Sequence, residues 1–260
     1  MNRRLLYEIT MRAYSFDWDD NILHMPTMIH MDKKDGDEWS KVKLSTSEYA
    51  ELKDSPEYRY PDNDIKKAFV EFNDDEEFIS NVEDSLSNGE FAPSFDDFKE
   101  AVIKAKPISI ITARPQSPDT LKRGVNIIIQ EYFTEEERGE MLENINDNYD
   151  FTGTEDEIIR KYIESNYYYP VSFNNQNADI KKEKGNALDD FVKKVILSFE
   201  KMDKDTYNKI AIGFSDDDLE NVQEVVKKIK EVMTKLYPQV EFYVYDTSEK
   251  GKNKVIVHTT

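Results

Sequence analysis

Four short runs concentrate side chains able to handle a phosphoryl group. The first is Ser15-Phe16-Asp17-Trp18-Asp19-Asp20-Asn21, where Asp17 and Asp19 stand two positions apart just after a segment of alternating polar and apolar residues. A carboxylate that attacks phosphorus forms an aspartyl phosphate and divides a difficult hydrolysis into two displacements. A second acid beside it would protonate the leaving oxygen and later deprotonate water. Taken alone, this run reads equally well as a solvated turn or a helix cap, because acidic loops are common in so negative a chain.

The second run, Ile108-Ser109-Ile110-Ile111-Thr112-Ala113-Arg114-Pro115, ends an apolar stretch on a hydroxyl. Thr112 would donate to a phosphate oxygen, helped by backbone amides of the next turn at Ala113. Arg114 reads either as a substrate contact or as the partner of a neighbouring carboxylate. The third run is Lys184-Gly185-Asn186-Ala187-Leu188, at the expected start of a helix. An ammonium there would balance the charge of both Asp17 and a bound phosphate. Lysine at a helix N-terminus runs against the helix dipole, which argues for a purpose beyond helix formation; the plainer reading is a solvated charge run with Lys181 and Lys182. The fourth run, Ile210 to Asp218, is another apolar stretch ending in acids. Magnesium favours a few carboxylate oxygens and keeps water and substrate phosphate in its other positions, and Asp216 with Asp17 would make such a site. Three adjacent aspartates would repel one another without a cation.

These runs need a scaffold that brings strand ends together. Arg12 to Phe16, Pro107 to Ile111 and Lys209 to Phe214 read as strands, each delivering a polar cluster at its carboxyl end, and Val240 to Tyr245 and Lys254 to His258 as two more, the last near a sheet edge. Helical spacing covers Asp119 to Phe133, Glu135 to Asn146, Glu155 to Asn166, Asn186 to Glu200 and Leu219 to Leu236. In the last of these, Val222, Val225, Val226, Ile229 and Met233 share a face. Strands alternating with amphipathic helices predict an α/β sheet covered on both faces, whose ligands bind beyond the carboxyl ends of the strands.

The stretch from Asn21 to Thr112 is far longer than a helical crossover needs, so residues 24–105 read as an insert. Met28 to Met31 and Trp39 to Leu44 predict a hairpin turning at Gly36. Helices are expected at Thr46 to Lys53, Asp62 to Glu71, Glu76 to Leu86 and Ser94 to Ala105, the last capped by Ser94. A second accessory helical segment is expected near 117–175. The string Tyr167-Tyr168-Tyr169-Pro170 reads as a core strand in preference to an aromatic substrate surface. His24 and His30 read as packing or surface residues in preference to metal ligands.

The chain has 260 residues, enough for a core domain with a modest insert. Its 54 acidic against 35 basic side chains give a net charge of -19, which disfavours bulk attraction to nucleic acid or anionic membranes while leaving recognition of one phosphorylated nucleic-acid end open. With no cysteine, disulfides, thiolate metal sites and thiol nucleophiles are excluded. No apolar run approaches a membrane span, and the start lacks a signal-peptide pattern, so the expectation is a cytoplasmic protein acting on a phosphorylated small molecule.

Together and in this order, DWDDN, SIITARP, KGNAL and IGFSDDD resemble the four motifs of the haloacid dehalogenase-like superfamily. The motifs are short, but their spacing spans Arg12 to Tyr245. The resemblance implies a Rossmannoid three-layer core of 1–23 and 106–260, with a mostly parallel sheet and an inserted cap after the first motif. It implies a phosphatase in which Asp17 is the nucleophile, Asp19 the general acid and base, Thr112 the phosphate holder and Lys184 the charge balance. Mg²⁺ would lie on the Asp17 carboxylate, the Asp19 main-chain carbonyl and Asp216, with Asp217 as second acid of the last motif; the register among Asp216, Asp217 and Asp218 stays open by one residue. The second aspartate favours the phosphatase branch over the dehalogenases. A phosphotransferase, or a silent protein that keeps the fold for binding or regulation, is the alternative. Asp20 and Asn21 depart from the pattern, standing where the family commonly has glycine and threonine or valine.

Overall fold

The computed structural model describes residues 10–174, 179–201, 209–248 and 253–257; the opening residues 1–9 and His258 lie outside them. The chain forms an α/β fold around a six-stranded sheet. From β1 (Thr10–Phe16) it enters the insert: β2 (Ile29–Asp35), β3 (Glu38–Leu44), α1 (Thr46–Leu52), β4 (Tyr58–Arg59), α2 (Ile65–Ala68), α3 (Asp75–Asn88) and α4 (Phe95–Ile103). It returns as β5 (Ile108–Thr112), α5 (Pro118–Ile127), α6 (Glu135–Asn148), α7 (Glu155–Ser165), β6 (Tyr167–Pro170) and α8 (Val171–Asn174). The remainder is α9 (Ile180–Lys201), β7 (Lys209–Asp216), α10 (Leu219–Lys228), β8 (Val240–Asp246) and β9 (Asn253–Val257). Wider helical turns at Ile128–Tyr132 and Ile229–Met233 prolong α5 and α10.

Strand order is β6-β5-β1-β7-β8-β9, with every pair parallel except the antiparallel edge strand β9. β5 is buried along its whole length and β7 from Ile210 onward, as strands covered on both faces are. Along β1, side chains alternate between the two helical layers: Tyr14 and Phe16 face one core, Met11 and Ala13 the other. The first core is closed by α3 to α7 and the second by α9 and α10, which makes three layers. Each fully buried side chain of the Phe or Ile class contributes about 1.5–3 kcal/mol, so the sheet is clamped from both sides. The chain leaves β1 towards β5 and β6, then crosses back to β7 and β8. The reversal places a crevice above β1, β5 and β7, where open α/β sheets bind ligands.

Several expectations change. The insert is not one body: Ile29, Met31, Leu44, Ala68 and Phe72 form a small core of their own over residues 29–72, whereas α3 and α4 send Phe78, Val82, Phe95 and Phe98 into the sheet's own core. Likewise α5, α6 and α7 share that core through Leu121, Met141 and Tyr162, so these three helices are part of the main layer. The expected helix from Asp62 to Glu71 is broken, because Asp62 and Asn63 take left-handed backbone at φ 53° and 57°, and only α2 and two tight turns form. Ser94 precedes α4 without capping it; its hydroxyl is buried and makes no capping bond. The hairpin turns at Gly36 as expected, with φ 61°, and Tyr167–Pro170 is a strand at the sheet edge. Among the described residues no helix is long and apolar enough to cross a membrane.

Candidate active site

The four runs meet at one place. Asp17 and Asp19 follow β1, Thr112 ends β5, Asp216 ends β7 and Lys184 rises from α9. Between the two aspartates, Trp18 turns the opposite way and is fully buried against Phe78, with ring centroids 5.1 Å apart. It packs so tightly on α5 that a Cβ on Gly124 would lie 2.9 Å from its ring. A buried tryptophan thus locks the loop that presents both carboxylates.

Lys184 is 1% exposed and pairs with Asp216 Oδ2 at 2.7 Å and Asp17 Oδ1 at 3.2 Å. Burial would lower its pKa, but Asp17 and Asp216 outweigh this and hold it well above the usual lysine range. The helix carrying it starts at Ile180 and not at Asn186, because Asp179 caps it, accepting at its side chain from the Lys182 amide and at its carbonyl from the Glu183 amide. Lys184 is therefore past the first turn, and what retains it is the pair of acids in front of it, not a contest with the helix dipole.

The triple aspartate divides into three tasks. Asp216 is fully buried; besides Lys184 it accepts from the Asp218 amide at 3.0 Å and from Asn221 Nδ2 at 3.1 Å. Asp217 joins Asp17 and Asp216 in a cluster whose nearest carboxylate oxygens all lie within 4.8 Å of one another. Asp218 caps α10 by accepting from the Glu220 amide and pairs with Lys53 of the insert at 3.4 Å. Burial first, then the charges of Asp216 and Asp17, push the Asp217 carboxyl well above the usual carboxylate range. Asp17 is raised to about 7, by burial against the opposing pull of Lys184, with Asp216 and Asp19 adding to the rise. Among the described residues Asp17 Oδ1 finds no hydrogen-bond donor, its approach to Lys184 being an unaligned ion pair. One ammonium facing three clustered carboxylates, with a buried oxygen left over, is a donor set that fits a hard divalent cation.

Arg114 is the carboxylate-bound arginine of the two sequence readings. Its Nε and Nη2 donate to Asp19 Oδ2 and Oδ1 at 2.7 and 2.6 Å, Nη2 also donates to Thr27 Oγ1 at 3.0 Å, and its plane lies near the rings of Phe72 and Phe78. Thr112 is buried and accepts from the Arg114 amide at 3.3 Å, while Ala113 is exposed at the mouth of the crevice. Asp20 takes φ 51°, the left-handed backbone that glycine favours, so its departure from the family pattern leaves this turn intact. Burial would raise the Asp20 carboxyl, but hydrogen bonds with His24 and Thr46 prevail and lower it. Asn21 ties the loop to β7 and to the turn that follows β8: it accepts from Ser215 and donates to Thr247. His24 and His30 pair with Asp20 and Glu71 and stand apart from the carboxylate cluster.

Sequence reasoning missed Asn221, Thr27 and the lining supplied by the insert. Thr46, Tyr49, Ala50 and Lys53 recur at helical spacing and turn one face of α1 to a cavity of about 490 Å³, which reaches Asp17, Asp19, Thr112, Arg114, Lys184 and Asp217. The i, i+3, i+4, i+7 pattern was the available signal, but it does not say whether the face meets a core or a cavity. Comparison with protein-family models, with curated proteins and with solved structures finds no match.

Proposed function

We propose that the chain is a Mg²⁺-dependent phosphohydrolase of the haloacid dehalogenase-like class that releases phosphate from a phosphomonoester. The observation that carries this reading is the convergence of Asp17, Thr112, Lys184, Asp216 and Asp217 on one crevice at the carboxyl ends of β1, β5 and β7. The order of the four motifs supports it independently. Asp17 attacks phosphorus while the bond to the alcohol oxygen breaks, and Asp19 gives that oxygen its proton. Water then attacks the aspartyl phosphate, its proton passes to Asp19, and the Asp17 carboxylate is regenerated. Thr112 and the Ala113 amide hold the phosphoryl oxygens, Lys184 balances their charge, and Arg114 positions Asp19. Mg²⁺, held by Asp17, Asp216, Asp217 and the main-chain carbonyl of Asp19, would neutralise the charge on the transferring group. The absence of cysteine suits a cytoplasmic setting, and a cavity of about 490 Å³ suits a small phosphorylated substrate.

A second reading, a phosphoryl-binding protein without turnover, draws on the fork of Arg114 engaging both Asp19 oxygens. Activated phosphoryl donors separate the two. Acetyl phosphate and p-nitrophenyl phosphate should release inorganic phosphate with Mg²⁺, stop doing so with EDTA, and stop with Asp17→Asn. Equal activity of the variant removes Asp17 as nucleophile; binding of phosphate without any release favours the second reading.

A further inference from the structure

The cavity above Asp17 has a floor and a wall of opposite character. Its floor is charged, but the wall supplied by the insert is Ile29 of β2, Tyr49 of α1, Ile65 and Phe69 of the α2 segment, and Phe72. Ile65 is left 47% exposed there, and Phe69 and Phe72 stack edge to face, with ring centroids 5.4 Å apart. The polar groups of this wall are already engaged. The Thr46 hydroxyl donates to Asp20, the Tyr49 hydroxyl is hydrogen-bonded to that of Tyr60 at 2.8 Å, and Asn73 donates its side-chain amide to the Phe69 carbonyl. Lys53 is committed to Asp218 and Glu220. Lys66 lines the cavity, is exposed and, among the described residues, has no ion pair, so its ammonium stays open to solvent.

We infer that the alcohol half of the substrate is apolar or aromatic, and not a polyol. This rests on the phosphohydrolase reading, and it names the class of ester that the site takes. With phosphate seated over Asp17, the carbon skeleton of the ester extends towards the wall. A sugar or glycerol would bring its hydroxyls against Ile29, Ile65, Phe69 and Phe72, which offer them no hydrogen bond, and each hydroxyl buried without a partner weakens binding by about tenfold. A ring or branched chain instead removes apolar surface from water on both sides of the contact.

The test compares benzyl, methyl, glycerol and glucose 6-phosphates, all of which release alcohols of similar acidity, so intrinsic reactivity does not set the order. With Mg²⁺ and the full chain, kcat/KM for benzyl phosphate should exceed that for the glycerol and glucose esters by about tenfold or more. The benzyl-to-methyl ratio should fall about tenfold in Phe69→Ala and by a smaller factor in Ile65→Ser. Ile65 is exposed enough to be replaced without opening a core, so its arm stands even where Phe69→Ala fails to fold. A polyol ester turned over as well as benzyl phosphate, or a ratio unmoved in the folded variants, overturns the inference. So does turnover of acetyl phosphate with release from none of the four esters. Failure on acetyl phosphate as well overturns the phosphohydrolase reading itself.

Discussion

Removing the proposed nucleophile should make the metal-free protein more stable. Asp17 is 6% exposed, and burial, with the charges of Asp216 and Asp19, lifts its pKa from 3.8 to about 7 in spite of Lys184. An acid whose pKa is raised by folding favours the fold fully below its unfolded value of 3.8, and that contribution is lost as pH rises through about 7. Each pH unit between the two values is worth about 1.36 kcal/mol, so at pH 8 the ionised carboxylate costs the metal-free fold about 4 kcal/mol. Asp17→Asn keeps the shape of the protonated acid and removes the charge. In EDTA at pH 8 it should gain up to about 4 kcal/mol in urea denaturation, an advantage that shrinks as pH falls and nearly disappears around pH 4. Saturating Mg²⁺ should reverse the order, because a ligand of the native state stabilises only the chain that binds it. The same variant should release no phosphate from acetyl phosphate. A variant less stable than the parent in EDTA at pH 8, or a difference indifferent to both pH and Mg²⁺, would refute the account of the carboxylate cluster.

Two further outcomes follow from the packing around the loop. Gly124→Ala places a methyl 2.9 Å from the Trp18 ring and 3.1 Å from that of Phe78, and should destabilise the fold by about 1–3 kcal/mol in urea denaturation; an unchanged midpoint would mean that Trp18 is not wedged behind the carboxylates. Arg114→Lys keeps the charge but loses the fork that holds both Asp19 oxygens, so turnover of benzyl phosphate, whose leaving oxygen needs a proton, should fall about tenfold or more, and that of acetyl phosphate should fall less. Equal losses on the two substrates would show that Arg114 does not act through Asp19.

Local order carried the features that were legible in the sequence. An apolar run that stops at an acid or a hydroxyl is a strand end whichever neighbour it pairs with, and so Phe16 to Asp17, Ile111 to Thr112 and Phe214 to Asp216 could be placed before any contact was known. The helical stretches were legible for the same reason. Other features depend on distant partners. Amphipathic spacing shows that α3 and α4 bury one face but not that the face belongs to the sheet, and only packing assigns them to the main core. The break at Asp62 and Asn63 rests on two left-handed residues that neither glycine nor proline announces. Adjacent aspartates are interchangeable in a sequence, and they separate only when Lys184 meets Asp216 while the first turn of α10 claims Asp218.

The position of Lys184 connects these observations. On its helix alone it is one lysine among several, and its neighbours Lys181 and Lys182 are surface groups. Its burial makes sense only because β1 and β7 are adjacent and parallel, which brings Asp17 and Asp216 to the same height and in front of α9. A cation taken out of water is costly unless it is paired, and Asp216, at 2.7 Å, is the hydrogen-bonded partner that keeps Lys184 paired. Two acids satisfy the lysine, but one lysine leaves the acids, now three with Asp217, short of positive charge. The same sheet order that stabilises Lys184 therefore leaves room for further positive charge and sets it beneath the cavity that the insert helps to line. A site designed only for stability would have matched the charges; this one leaves the carboxylates in excess where a cation and a phosphoryl group can share them.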